Sequence, residues 1–482
     1  MFNFRPVLYA IGILLTILAS FMLIPAIFDY LAHDQEWVGF LLSAFLTFFV
    51  GLSLTLTNKG QTGNLNIRQA FVLTTGSWLA LATFAAFPFK FSGMGLSFTD
   101  SFFESMSGLT TTGATILEGL DQMPPGILLW RSILQWIGGI GIIVVALAVL
   151  PMLNIGGMQL FRTESSDKSE KILPRTTQIS FAIGSVYLLL TVICCIMLIW
   201  VGMGQFDAIN HAMTTVATAG FSTHDQSIAY FNNPNIEYVM SFFMLASGIP
   251  FVLYINALQG NIKAFNKDSQ VKWYLSIIIL SVFICSLWLS FVKDIHYFEA
   301  LRLSTFNIIS ITTTSGFASA DYSQWGGFAI TLIFLLSVVG GCTGSTTGGI
   351  KIFRFQVLYK TAKTQINHLI QPHAIIRPRF NGKPLSEAIT GSVMSYIILF
   401  AFSFQVLALI LSLCGLDYIS SMSGAAATLA NLGPGLGDTI GPAGNYATVP
   451  STAKWVLSFA MLLGRLEIFT LLVLFSSYFW QD

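Results

Sequence analysis

The chain has 482 residues, 54% of them hydrophobic and only 9% charged, where an average soluble domain carries about 25% charged residues. That deficit excludes an ordinary soluble domain and identifies a chain that crosses a membrane many times. The net charge of +1 gives no ground for a nucleic-acid partner, and the five cysteines (Cys194, Cys195, Cys285, Cys342, Cys414) lie in or beside apolar runs with no legible disulfide framework.

An apolar run of roughly 20 residues marks one helical crossing. Runs at 7–28 and 37–56, joined by an acidic connection with Asp29, Asp34 and Glu36, form a first hairpin. The first run reads as a segment that spans and stays, not as a cleaved leader. Four units follow over 68–153, 175–264, 271–363 and 386–480, each a crossing helix, a segment that dips in and returns, and a second crossing helix. The expected fold is an all-α polytopic membrane protein. It has an N-terminal two-helix hairpin (1–66) and four pseudo-symmetric helix–pore loop–helix repeats (67–160, 161–268, 269–383, 384–482) around a central pore. Ten helices would cross and four short ones would dip.

Each unit holds a stretch too polar for a lipid-facing helix. These are Leu109-Thr110-Thr111-Thr112-Gly113-Ala114, Thr215-Val216-Ala217-Thr218-Ala219-Gly220-Phe221, Ile311-Thr312-Thr313-Thr314-Ser315-Gly316-Phe317 and Thr428-Leu429-Ala430-Asn431-Leu432-Gly433-Pro434. Aligned on the glycine, each has a carboxylate at the fifth position after it: Glu118, Asp225, Asp321 and Asp438. A dehydrated alkali cation needs several oxygens at once. Extended Thr/Ser/Gly backbone can aim carbonyls at an axis, and glycine permits positive φ and close approach. Irregular backbone survives at membrane depth only beside protein or a water-filled cavity. One such stretch alone would pass as an external loop, but four in register point to a cation pore. Acids near the start of each dipping helix, Asp100, Asp207, Glu299 and Asp417, suit a helix N-terminus both as caps and as partners of the dipole.

The density of Lys and Arg, including Lys59, Arg68, Arg162, Lys168, Lys171, Arg175, Lys263, Lys267 and Lys272, makes one side cytoplasmic. Lys90, Arg131, Lys293, Arg302 and Lys454 fall on the other side, with most of the acids, so the glycine loops face outward beneath an acidic vestibule. In the third unit the second crossing helix breaks into Gly340-Gly341-Cys342-Thr343-Gly344-Ser345-Thr346-Thr347-Gly348-Gly349. Glycine costs a helix interior about 1 kcal/mol relative to alanine, so this run reads as a mobile gate under the loops or as a small-residue packing surface. The basic residues that follow (Lys351, Arg354, Lys360, Lys363, Arg377, Arg379, Lys383) suit anionic lipid, a soluble partner or a plain cytoplasmic loop. Arg465 and Glu467 lie inside the last apolar run, 455–480. Two residues apart they share no helix face, which leaves Arg465 to line the pore or to pair with another acid. The six histidines show no metal-ligand spacing, and no catalytic cluster survives placement on the topology, so no enzyme is expected. A cation-coupled solute symporter is the alternative, but it would show two related halves with a midplane site.

These loops and the glycine-broken span resemble those of the TrkH/TrkG potassium-uptake proteins of the Trk/Ktr/HKT superfamily. So do the run Trp130-Arg131-Ser132…Gln135-Trp136-Ile137-Gly138-Gly139-Ile140-Gly141 and the terminal Gly464-Arg465-Leu466-Glu467. The likeness covers essentially the whole chain, including the first hairpin that separates TrkH-type from KtrB-type members. It implies K+ uptake across the bacterial inner membrane, with both chain termini cytoplasmic and surrounding membrane lipid. It implies a homodimer with one pore per subunit and a cytosolic TrkA-like nucleotide-binding ring, with no organic cofactor on this chain. Symport and metal-binding, the latter as K+ held in the filter, belong to the same expectation. The resemblance places the selectivity filter on Thr111, Thr112, Gly113, Thr218, Ala219, Gly220, Thr314, Ser315, Gly316, Asn431, Leu432 and Gly433, the gate on 340–349 and the pore constriction on Arg465. Glycine at all four filter positions accompanies potassium preference in that family, and serine in the first accompanies sodium permeation. The fourth loop departs most from the Thr-rich pattern.

Overall fold

The computed structural model describes residues 3–60, 66–145, 176–374 and 377–481. Arg162, Lys168, Lys171 and Arg175, and the boundary expected between the first two repeats, lie outside them.

Helices α1 (Arg5–Leu31) and α2 (Trp37–Thr57) form the first hairpin. They meet glycine to glycine: a Cβ on Gly12 would lie 2.8 Å from the Gly51 carbonyl oxygen, and one on Gly51 2.9 Å from that of Gly12. Small residues allow such approach where lipid leaves no hydrophobic force between helices. The hairpin docks on the next unit, α3 (Ile67–Ala85), α4 (Phe98–Leu109) and α5 (Pro125–Val144), through α1. The buried Asp29 of α1 accepts a 2.5 Å bond from Gly126 N, where unpaired N–H groups of the α5 terminus need an acceptor.

The second unit contains α6 (Thr176–Trp200), α7 (Gln205–Val216), α8 (Pro234–Ser247) and α9 (Phe251–Leu258). The third contains α10 (Ser269–Val292), α11 (Tyr297–Thr312), α12 (Gly327–Ser337) and α13 (Ile352–Ile370). The fourth contains α14 (Glu387–Leu413), α15 (Tyr418–Ala430), α16 (Ser451–Arg465) and α17 (Ile468–Leu472). The short helices α4, α7, α11 and α15 fall where the dipping segments were expected. Ser97 caps α4 by accepting from Asp100 N at 3.1 Å, and Asp417 caps α15 by accepting from Ser420 N at 3.1 Å. Asp207 and Glu299 stand in the first turns of α7 and α11.

Among the described residues, seven helices are continuous and apolar enough to cross a membrane, and two bent pairs raise this to nine. The tenth expected crossing is α12, only 11 residues long, followed by a buried loop and α13. The expected count thus needs a correction of kind, since three crossings are broken and not one. α8 turns by 91° into α9 at Gly248-Ile249-Pro250, where proline lacks the N–H and its ring blocks the preceding carbonyl. α16 turns by 112° into α17 at Glu467, whose φ is 62°, so 455–480 is not one helix. Among the described residues, one large interior joins the hairpin mainly to the first and fourth units, a second joins mainly the second and third, and a small third gathers Phe71, Phe353, Val357 and Val393. Phe45, Phe181, Leu280 and Phe402 are exposed on outer faces, as suits a chain immersed in lipid.

Candidate functional site

All four short helices end alike. The N–H of Thr112 reaches the Ser107 carbonyl at 2.9 Å, Ala219 reaches Thr214 at 3.0 Å, Ser315 reaches Ser310 at 2.8 Å and Leu432 reaches Ala427 at 2.8 Å. This closure demands a left-handed residue just past the helix, ordinarily glycine. Here the position holds Thr111 (φ 54°), Thr218 (φ 50°), Thr314 (φ 56°) and Asn431 (φ 55°). Asparagine adopts this conformation readily. For a β-branched residue it is an outlier that costs roughly 1–2 kcal/mol, and such strain gathers at functional sites. Sequence reasoning assigned positive φ to the glycines and missed these positions. Gly113, Gly220 and Gly316 do have φ of 83°, 86° and 82°, but Gly433 does not.

Close approach explains all four glycines. A Cβ on Gly113 would lie 2.1 Å from the Ala219 carbonyl oxygen, and one on Gly220 2.0 Å from that of Ser315. One on Gly316 would lie 2.9 Å from Pro434 Cδ, and one on Gly433 2.6 Å from the Gly113 carbonyl carbon. Each loop therefore rests on the next, and the fourth returns to the first: the structure brings the four predicted stretches into one closed ring. The carbonyls of Thr111, Thr112, Gly113, Thr218, Gly220, Thr314, Ser315 and Gly316 accept no hydrogen bond from the described residues. Buried carbonyls are almost always paired, and oxygens left unpaired in a ring have the chemistry to coordinate a cation.

Charged and amide side chains brace the ring from behind. Gln135 donates to the Ala219 carbonyl at 2.7 Å and accepts from Phe221 N at 3.0 Å. Arg131 pairs with Glu104 at 2.8 Å, donates to the Ser222 carbonyl at 2.8 Å and lies 4.1 Å above the Phe221 ring. Lys454 pairs with Asp100 at 2.6 Å. Arg131 and Lys454, assigned from the sequence only to the outer side, are buried braces. Tyr446 donates its hydroxyl to the Gly433 carbonyl at 3.0 Å, which sets the fourth loop apart.

Above the ring lies a cavity of about 80 Å³ lined by all four loop glycines and by His224 and Asp225. Of the four repeated acids only Asp225 borders it. Asp225 accepts from Leu120 N at 3.1 Å and Asp321 from Ser323 N at 3.0 Å, while Glu118 accepts from Asn445 Nδ2 at 3.0 Å and Asp438 stands exposed. At the rim a bond from His224 holds the Asp121 carboxyl below the ordinary carboxylate range.

Below the ring, residues 340–349 form a buried loop. Gly348 N donates to Thr314 Oγ1 at 2.7 Å, Gly349 N to the Ala430 carbonyl at 2.8 Å, and Thr218 Oγ1 to Thr346 Oγ1 at 3.0 Å. Cys342 N reaches the Gly248 carbonyl at 3.0 Å, and Lys351 donates to the Thr347 carbonyl. Arg465 ends α16 just beneath, 3% exposed, and donates to the Thr346 carbonyl at 3.1 Å. No carboxylate pairs with it among the described residues, since Glu467 pairs with Arg354 at 2.5 Å. Arg465, Asn431, Gly344, Gly348 and Lys351 border a second cavity of about 20 Å³, room for about one water.

The family described as "TrkH: Cation transport protein" matches residues 38–482. A Trk system potassium uptake protein TrkI of Halomonas elongata is 43% identical, aligned over 100% of this chain and 98% of its own length. The Trk system potassium uptake protein TrkH of Escherichia coli is 38% identical over 100% of both chains. The crystal structure of the potassium transporter TrkH from Vibrio parahaemolyticus superposes with a TM-score of 0.92 at 35% identity, over 100% of both chains. These names lend no support to the symporter alternative, nor to symport or metal-binding as labels. The chain belongs to the TrkH family of cation transport proteins, and is a transporter and not an enzyme.

Proposed function

We propose that this chain takes up potassium across the bacterial inner membrane through a channel-like axial pathway. Four pseudo-symmetric repeats surround it, the four glycine loops select the ion, residues 340–349 gate it and Arg465 narrows it. One observation carries the reading: the loops close into a ring whose buried carbonyls lack hydrogen-bond donors. A dehydrated cation supplies what such oxygens lack. Potassium is the ion because the full-length relatives are named for its uptake; the reading needs no organic cofactor. The gate follows from position, since the buried loop bonds the threonines at the inner edge of the ring. Both termini face the cytoplasm, two copies pair in the lipid, and the basic stretch after the gate receives a TrkA-like nucleotide-binding ring.

A bacterial strain lacking potassium uptake should regain growth at low potassium when it carries this chain. Purified protein in liposomes should pass rubidium and exclude sodium, with and without the cytosolic partner at different rates. No rescue and no rubidium flux in either condition would remove the reading.

A further inference from the structure

Counted back nine places from the loop glycines stand Glu104, His211, Asn307 and Gly424. The first three are fully buried, and each reaches the limb by which its own loop climbs away from the glycine. Glu104 accepts from Thr115 Oγ1 and from Ile116 N, both at 2.9 Å. His211 holds Ser222: the Asp207 carbonyl can only accept, so Nδ1 donates to it at 2.9 Å, and Nε2 receives the Ser222 hydroxyl at 2.9 Å. Asn307 donates to Ser319 Oγ at 3.0 Å and accepts from Ser319 N at 3.2 Å. In the fourth quarter the register position is Gly424, where a Cβ would lie 3.0 Å from Ile440 Cδ1, and the neighbouring Ser423 accepts from Leu436 N at 2.9 Å instead.

We propose that Glu104, His211 and Asn307 are positioning residues for ion selection, each fixing one quarter of the ring from behind, while in the fourth quarter Ser423, one place earlier, takes the task by accepting from Leu436 N at 2.9 Å. This rests on the loops being the selectivity filter. A carboxylate, an imidazole and an amide perform one task at one register position. Each loop is then fixed at two points, below by the left-handed cap and above by this bond, which sets the planes of the peptides between them. A ring held this way cannot contract around a smaller cation. The fourth loop differs in the same sense: its glycine lacks positive φ, and its carbonyl is taken by Tyr446.

The decisive variants act away from the axis. Asn307→Leu keeps the volume and removes both bonds to Ser319; Ser222→Ala removes the hydroxyl that His211 holds, and Ser319→Ala removes one of the two Asn307 bonds and leaves the one from Ser319 N. Potassium and sodium fluxes are measured separately for each variant in liposomes, together with melting temperature. Asn307→Leu should lower the potassium-to-sodium ratio at least about tenfold, the effect of losing its two buried hydrogen bonds to Ser319, and the serine variants, which each lose one of the bonds that brace the loop, should lower it less. If Asn307→Leu fails to fold, the two serine variants decide the matter. A wild-type ratio in variants that only melt earlier would overturn the proposal and leave the bonds structural. A wild-type protein with no potassium preference would instead overturn the filter reading itself.

Discussion

The four outer loops and residues 340–349 share a Thr/Ser/Gly composition and near-complete burial, but they differ in what holds them. Each outer loop continues a helix through a six-to-one closure and is braced by Gln135, Arg131 or a polar side chain of its own short helix. The inner loop hangs between α12 and α13. Its outward bonds go mostly to other units: to Gly248 and Thr218 in the second, to Ala430 and Arg465 in the fourth. Composition permits both conformations; on the proposed function, anchorage separates a fixed ring from a strip that several neighbours can release together.

The comparison breaks most sharply at the ring. Gly113→Ser places a side chain where a Cβ would lie 2.1 Å from the Ala219 oxygen, at a φ of 83°. It should add about 1–3 kcal/mol of backbone strain and abolish discrimination between rubidium and sodium in liposome flux. An unchanged ratio would take Gly113 out of the filter.

Deleting 344–348 should next raise basal flux severalfold and weaken control by the cytosolic partner while leaving the selectivity ratio alone. A folded deletion with normal flux and regulation would make the inner loop a packing device. Arg465→Ala should raise flux to a lesser extent, by removing a positive group beneath the ring without stranding a partner carboxylate. Unchanged flux through a folded variant would place Arg465 off the pathway.

The smallest effect belongs to the acids. Neutralising Glu118, Asp225, Asp321 and Asp438 together should lower flux at low ionic strength and converge with wild type as salt shortens the Debye length from about 10 Å at 0.1 M. Asp225 and Asp321 also bond backbone N–H groups, so each alone should lower the melting temperature slightly. A flux defect that persists in high salt would exclude a long-range field.

The hairpin, the dips and the break at 340–349 were legible because apolar length and glycine density report backbone state directly. The α8–α9 bend was equally legible in Gly248-Ile249-Pro250, but the apolar run masked it. The bend at Glu467 was not, since no glycine or proline marks it and its cause is a tertiary pair with Arg354. The left-handed threonines were hidden because residue type argues against that conformation; only the ring around them makes it tolerable. The bracing by Arg131 and Lys454 was not legible, because charge placement along the chain gives the side of the membrane and not the buried partners Glu104 and Asp100. The nine-place offset to Glu104, His211 and Asn307 was open to the same alignment that found the acids, but it was applied only forward of the glycines.

The hydroxyls of Thr218 and Thr314 carry a consequence for how ion and gate communicate. Thr314 Oγ1 receives the inner loop's Gly348 N–H, and Thr218 Oγ1 lies 3.0 Å from Thr346 Oγ1. On the proposed function, the Thr314 oxygen at the inner edge of the filter offers its lone pairs to the loop N–H or to a passing cation, and cannot serve both equally. Occupancy and loop position are then thermodynamically linked, and the linkage is reciprocal. A loop displaced by its partner raises affinity at the lowest ion position, and an ion seated there favours displacement by the same factor. The permeating ion thereby becomes an effector of its own gate.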